Sequence, residues 1–217
     1  AITMLPRLAE QSVRYIENAA TAAQPFFLYV PLSSPHTPIV PSEAWQGQSG
    51  ISDYADFVMQ TDDVVGQIIN AIDTNNLAED TIVIFTSDNG CSKAANIDEL
   101  AERGHRVSGP YRGSKADLWE GGHRVPFFAR WAGEISPGSH CNETICLTDF
   151  FATIADLLID DIPEGPIASK VVKLPASVKV AAKETQYAYT AIESPRGELG
   201  TFLVGQPRSS QPYRCKI

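Results

Sequence analysis

The chain has 217 residues, of which 43% are hydrophobic and 20% charged. It therefore has material for a sizeable core and is not a chain disordered by composition. Its formal net charge of −9 argues against nucleic acid and anionic membrane as main partners, while an anionic substrate can still find a cleft of opposite sign.

Leu8, Tyr15, Ile16, Ala19, Ala20 and Ala23 share one face at helical spacing, which predicts a helix over roughly Arg7 to Ala23, with Ser12 interrupting the stripe and Pro25 stopping it. Phe26 to Val30 is a short continuous apolar run, the mark of a buried strand. It leads into a proline-rich loop, Pro31-Leu32-Ser33-Ser34-Pro35-His36-Thr37-Pro38. After an irregular Pro41 to Gly50, the stripe Tyr54, Phe57, Val58, Thr61, Val64, Val65, Ile68, Ile69 and Ile72 predicts a long helix. Ser52 or Asp53 is its cap, Asp62, Asp63 and Gln67 form its outer face, and Asn75-Asn76 is its exit. Thr81 to Thr86 is a second buried strand, ending in Ser87-Asp88-Asn89-Gly90. Strand, helix, strand makes a βαβ unit of an α/β fold. If its strands are parallel neighbours, the polar clusters at their carboxyl ends lie on one edge of the sheet, where such folds bind ligands. Residues 91–122 form a polar, glycine-bearing connection, long enough to be functional or disordered. Val125 to Trp131 reads as a third strand, with Pro126 near its start. Thr148 to Leu158 reads as a short helix with Phe151, Ile154, Ala155 and Leu158 facing inward and Thr148 as cap. Beyond Ile162 the pattern weakens to two strand candidates, Val171 to Val180 and Thr185 to Ala191. The organisation that follows is a main α/β domain over 1–162 and a less defined segment over 163–217, a candidate small β subdomain. No apolar run reaches the roughly 18 residues of a membrane span, and Ala1 to Glu10 lacks the pattern of a signal peptide.

Several short patterns carry chemistry, each with a plain structural alternative. Asp88 and Asn89 offer a carboxylate and an amide carbonyl side by side, suited to a hard cation such as Ca²⁺ or Mg²⁺; Asn89-Gly90 is equally a turn signal. His36 at a strand end serves as general acid, general base or metal ligand, or is simply solvated. Lys115, after Gly113-Ser114, holds a sulfate or phosphate as a point charge, or lies on the surface; no Walker loop is present. Glu120-Gly121-Gly122-His123-Arg124 reads as a tight turn whose glycines take positive φ; its His123 and Arg124 face either a site or solvent. The cysteines Cys91, Cys141, Cys146 and Cys215 fit neither a zinc ribbon nor a redox pair. His140 with Cys141 and Cys146 forms a partial metal pattern, and a Cys141–Cys146 disulfide is the other reading. Asn142-Glu143-Thr144 is a glycosylation sequon.

In order and content these patterns resemble the type I sulfatase family. The matching stretches are Pro25–Pro38, Tyr54–Gly66, Thr81–Gly90, Gly113–Phe127 and Thr148-Asp149, within about residues 7 to 160. The Ser-Asp-Asn-Gly strand end followed by a lysine and Glu-Gly-Gly-x-Arg-Val-Pro is the most specific part. The resemblance implies an alkaline-phosphatase-like α/β fold, a mixed sheet sandwiched by helices and incomplete at the N-terminus, and hydrolysis of small-molecule or saccharide sulfate esters with bound Ca²⁺. It implies Asp88 and Asn89 as metal ligands. It implies that Lys115 contacts the sulfate and its leaving oxygen, and that His36 contacts the sulfate and protonates the leaving alcohol. His105 borders the same loop and receives no role. A periplasmic or extracellular location follows from family habit.

The family nucleophile is a formylglycine made from the first residue of Cys/Ser-x-Pro-x-Arg. No Cys or Ser of this chain is expected to open that motif, as Cys91, Cys141 and Cys146 do not. The expectation is that the nucleophile, its arginine, two aspartates of the metal site and a further Lys/His pair all precede Ala1, so that this chain alone lacks turnover. The rival readings are a phosphatase or phosphodiesterase of the same superfamily, and a non-catalytic remnant or binding module with a weak cation site.

Overall fold

The structure, a computed structural model, describes residues 2–22, 25–158 and 199–205. The chain divides into two compact units, Ala1–Ile135 with Ser194–Ser209, and Ser136–Glu193 with Ser210–Ile217.

In the first unit, helix α1 spans Met4–Ala22 and buries Leu5, Ala9, Ser12 and Ile16, a stripe with steps of four, three and four residues. Ser12 therefore lies within the buried stripe rather than interrupting it. Tyr15, expected inside, stays 43% exposed and meets Phe26 edge-on. Strand β1, Phe27–Leu32, runs beyond the expected end through Pro31. Among the described residues it is an edge strand of a four-stranded sheet, where a residue lacking an N–H is tolerated.

Helix α2 spans Asp53–Thr74, and Ser52 caps it by accepting from the Ala55 N–H. Its buried residues include Phe57, Val64, Ile68 and Ile72. Together with Ile16, Val30, Leu32 and Val83 they form the core between α1, α2 and the sheet. Each such side chain contributes about 1.5–3 kcal/mol when fully buried. Two polar residues are also buried on α2, Asp56 and Gln60. Asp56 accepts from the Gly47 and Ser49 N–H groups, both at 2.7 Å, and Gln60 from the Ser42 N–H at 2.9 Å. These bonds stitch the irregular 42–49 segment to the helix.

Strand β2 occupies Thr81–Thr86 as expected and is buried along nearly its whole length. Strand β1 and strand β2 are not neighbours. The sheet order is β1-β4-β2-β3, where β3 is Phe127–Arg130 and β4 is Leu199–Gly205. Strand β4 lies between β1 and β2, antiparallel to both, and β3 runs antiparallel to β2. Since β1 and β2 both oppose β4, they run the same way, and their carboxyl ends do share an edge. The βαβ unit is thus a split one, parted by a strand from the far end of the chain.

The connection after β2 is ordered by short elements: a 3₁₀ turn at Lys93–Ala95, helix α3 at Ile97–Glu102 and a single helical turn, α4, at Glu120–His123. In the second unit, helix α5 spans Asp149–Leu158. Its Asp149 carboxylate accepts from the Cys146 N–H, and Phe150 is buried; Ile154 is half-buried. The strand candidates Val171 to Val180 and Thr185 to Ala191 lie outside the described residues. Cys91 and Cys141 are free thiols, so the Cys141–Cys146 bridge is not formed.

Candidate active site

Four stretches of chain meet around a cleft of about 350 Å³. They are the loop after β1, the first half of α2, the loop after β2, and the segment leading into β3. His36, Asp88, Asn89 and Lys115 all line it. The four residues to which the resemblance gives a role therefore reach one cavity, although they are separated by up to 79 positions in sequence.

The loop carrying His36 is anchored from below. Ser34 is fully buried, and its hydroxyl lies 2.7 Å from that of Thr61 on α2, which also donates to the Phe57 carbonyl. His36 itself is exposed, with Nδ1 2.8 Å from the Thr37 carbonyl oxygen. A carbonyl oxygen only accepts, so Nδ1 carries the hydrogen and Nε2 is left for proton exchange.

Asp88 and Asn89 follow β2 directly. The Asn89 amide N donates to Asp88 Oδ1 at 2.9 Å, and the Ser87 hydroxyl donates to the Asn89 carbonyl. The first bond orients the Asn89 side-chain oxygen as the free end of its amide, beside a carboxylate. That donor set fits two of the six to eight oxygens a Ca²⁺ ion takes. Among the described residues, no group of three or more His, Cys, Asp or Glu side chains is placed to hold a metal. By itself the Asp-Asn pair offers two oxygens, fewer than such an ion takes.

Backbone contacts join this strand end to the lysine loop. Lys115 N–H donates to the Cys91 carbonyl at 2.9 Å, and Gly90 N–H to the Gly122 carbonyl at 2.9 Å. Ser114-Lys115-Ala116-Asp117 is a turn closed by Asp117 N–H on the Ser114 carbonyl, with Ala116 at φ 73°. One positive φ at the third position marks a type II turn, which usually asks for glycine there. Gly121 and Gly122 have a different use from the one expected. Neither takes positive φ among the positions that do; both lie in α4. A Cβ on Gly121 would run into the Gly113 carbonyl, one on Gly122 into the Asp117 carbonyl, and one on Gly90 into the Gly121 carbonyl. Three backbones cross here at distances only glycine allows.

Other groups in the cleft had weaker signals. Cys91 donates its S–H to Tyr54 Oη at 3.3 Å. Burial raises the thiol pKa, partly offset by the Tyr54 bond. Burial, then the contact with Cys91, raises that of Tyr54 well above the phenol range. Both stay neutral near pH 7. Asp62, expected on a solvated outer face, is exposed yet forms part of the cleft wall. Arg124 also lines it, whereas His123 is exposed, its Nε2 donating to the Leu118 carbonyl. His105 is exposed and not part of the wall.

The model of the Sulfatase family matches residues 6–160. The chain belongs to the sulfatase family. Its relatives include an N-acetylgalactosamine-6-O-sulfatase of Bacteroides thetaiotaomicron, 38% identical over 65% of this chain and 28% of that protein. A mouse steryl-sulfatase is 37% identical over 72% of the chain and 25% of its own length, and an arylsulfatase of Hemicentrotus pulcherrimus 39% identical over 68% and 25%. Among solved structures, the PsFucS1 sulfatase from Pseudoalteromonas superposes with a TM-score of 0.66 at 31% identity, covering 75% of this chain and 32% of that one. The fold is thus the alkaline-phosphatase-like α/β fold of sulfatases, in part. This sulfatase chain spans about a quarter of the curated relatives' length.

One expectation about the nucleophile needs correction. Ser210-Gln211-Pro212-Tyr213-Arg214 does satisfy Ser-x-Pro-x-Arg. It lies outside the described residues and outside the stretch matched by the family model, downstream of Lys115 where the resemblance calls for an upstream position.

Proposed function

We propose that this chain supplies the leaving-group and charge-stabilising half of a site that hydrolyses sulfate esters with Ca²⁺. The observation that carries this reading is the convergence of His36, Asp88, Asn89 and Lys115 on one cleft, in a chain of the sulfatase family. The Lys115 ammonium, a compact point charge, holds sulfate oxygens and offsets charge as it builds on the leaving oxygen. His36 contacts the sulfate and delivers a proton from Nε2 to the departing alcohol, while its Nδ1–H bond to Thr37 fixes the ring. Asp88 and Asn89 hold the cation, which when bound polarises the sulfate oxygens. The nucleophile and the remaining cation ligands are expected from outside this cleft's own residues, so the 217-residue chain alone has no turnover.

The test is hydrolysis of 4-nitrophenyl sulfate and 4-nitrophenyl phosphate by the sulfatase that contains this chain. His36→Ala and Lys115→Ala are each expected to lower kcat on the sulfate by about 10²–10³-fold. Preference for the phosphate, or enzyme-level sulfate turnover by the isolated chain, overturns the reading. With two protein oxygens, the isolated chain should bind Ca²⁺ only weakly, roughly in the millimolar range.

A further inference from the structure

Beside its charged groups the cleft wall carries an aromatic side chain, Tyr111. Tyr111 lines the same cavity as His36 and Lys115 and keeps 41% of its surface exposed. A guanidinium covers its ring: Arg124 Cζ lies 4.6 Å from the ring centroid. Arg124 is held in turn, its Nη1 donating to Glu120 at 2.9 Å and its N–H to the Glu120 carbonyl. The Tyr111 N–H closes a turn onto the Ser108 carbonyl. The tyrosine's backbone is thus held in a turn, and a guanidinium bonded to Glu120 lies over one face of its ring. A stacked guanidinium occupies one face of an aromatic ring and leaves the other for a second flat partner. Nearby walls add apolar area from Val58, Val107 and Pro126. The same segment repeats the device: Arg112 Cζ lies 4.0 Å over the Trp119 ring. Trp119 is not part of the cleft wall, so only the Tyr111 stack is placed to meet a substrate.

We propose that Tyr111, backed by Arg124, is a specificity-determining platform that stacks on the flat ring of the substrate's alcohol part, and so favours ring-bearing sulfate esters over open-chain alkyl sulfates. The ring is aromatic or a pyranose, since both present a flat face to a tyrosine. The proposal rests on the sulfate-ester reading only for the other end of the ligand, where Lys115 takes the sulfate.

The experiment is saturation-transfer NMR on the 217-residue chain with four probes: phenyl sulfate, galactose 6-sulfate, hexyl sulfate and unsulfated phenyl β-galactoside. Transfer to ring protons should fall about fivefold in Tyr111→Ala, the size expected of one stacked aromatic contact, and persist in Tyr111→Phe. Tyr111→Leu, which keeps apolar bulk, should also lose ring signal and guards against a folding defect in the alanine variant. The hexyl signal should not change. Whether phenyl or galactose protons respond more strongly identifies which kind of ring is preferred. A ring signal unaffected by Tyr111→Ala, a parallel fall for hexyl sulfate, or no binding of any ring probe overturns the platform. Tyr111-dependent binding of phenyl β-galactoside, with no gain from sulfate, supports the platform and removes the sulfate reading instead.

Discussion

At Gly90 a single hydrogen atom decides whether the site can close. The Gly90 backbone lies under Gly121, so that any Cβ would strike the Gly121 carbonyl. Backbone cannot rotate away as a flexible side chain would, and Gly90 N–H is itself bonded to the Gly122 carbonyl. Gly90→Ala should therefore cost roughly 2–4 kcal/mol of stability, at the large end of single substitutions. Chemical denaturation reads this directly, and a cost below about 0.5 kcal/mol would show that the crossing is looser than drawn. Ala116 behaves in the opposite sense. At φ 73° it holds a conformation that costs an L-residue about 1–2 kcal/mol. Glycine removes that strain but loosens the unfolded chain by about 0.4–1 kcal/mol, so Ala116→Gly should stabilise by roughly 0.5–1 kcal/mol. A lower melting temperature for that variant would count against the type II turn that presents Lys115. The use of Gly121 and Gly122 is hidden in the sequence for a physical reason. A glycine pair announces either positive φ or close approach, and the second depends on a chain segment that periodicity does not locate.

The elements were legible where a continuous apolar pattern met a local stop signal. Strand β2 and helix α2 are of this kind, since Thr81–Thr86 is one apolar run and Ser52 caps a long stripe. Strand β4 was not, because Leu199–Gly205 has glycine at its second and last positions and its partners lie more than 100 residues away. Polar residues inside helices were also hidden. Asp56 appears as a surface carboxylate in any helical pattern, yet it is 2% exposed and accepts two backbone N–H bonds. Burial pushes its pKa up, but the bonds from Ser49 and Gly47 outweigh that and leave it below the usual carboxylate range. A carboxylate whose folded pKa is depressed adds stability above its unfolded pKa, near 3.9, and loses it as pH falls through the folded value. The wild type should thus lose stability below about pH 4 more steeply than Asp56→Asn, measured by thermal denaturation between pH 3 and 7. At pH 7, Asp56→Ala should cost about 2 kcal/mol, because two N–H groups lose a charged acceptor. Parallel pH curves for wild type and Asp56→Asn would remove the carboxylate from this role.

For the whole molecule the decisive question is where the nucleophile comes from. Strand ends and turns alone left His36, Asp88, Asn89 and Lys115 with plain structural readings; the family resemblance singled them out as site candidates, and all four line one cleft. Nothing in their pattern indicates the attacking group. Two sources compete. The family resemblance puts it in a stretch ahead of the matched residues 6–160; the sequence itself offers Ser210 in Ser-Gln-Pro-Tyr-Arg. Conversion of a serine to an aldehyde removes two hydrogens, a loss of about 2 Da that peptide mass mapping resolves, and a carbonyl probe tags the product. A five-residue spacing arises by chance more readily than the linked series of motifs that precedes it, so the Ser210 peptide is expected unmodified. The isolated chain should then give no aldehyde tag and no sulfate turnover. An aldehyde at Ser210 would reverse this, because the chain would carry both a nucleophile and the groups that stabilise its leaving partner. Ser210→Ala would then abolish the tag and any turnover together, while leaving Ca²⁺ binding at Asp88 and Asn89 unchanged.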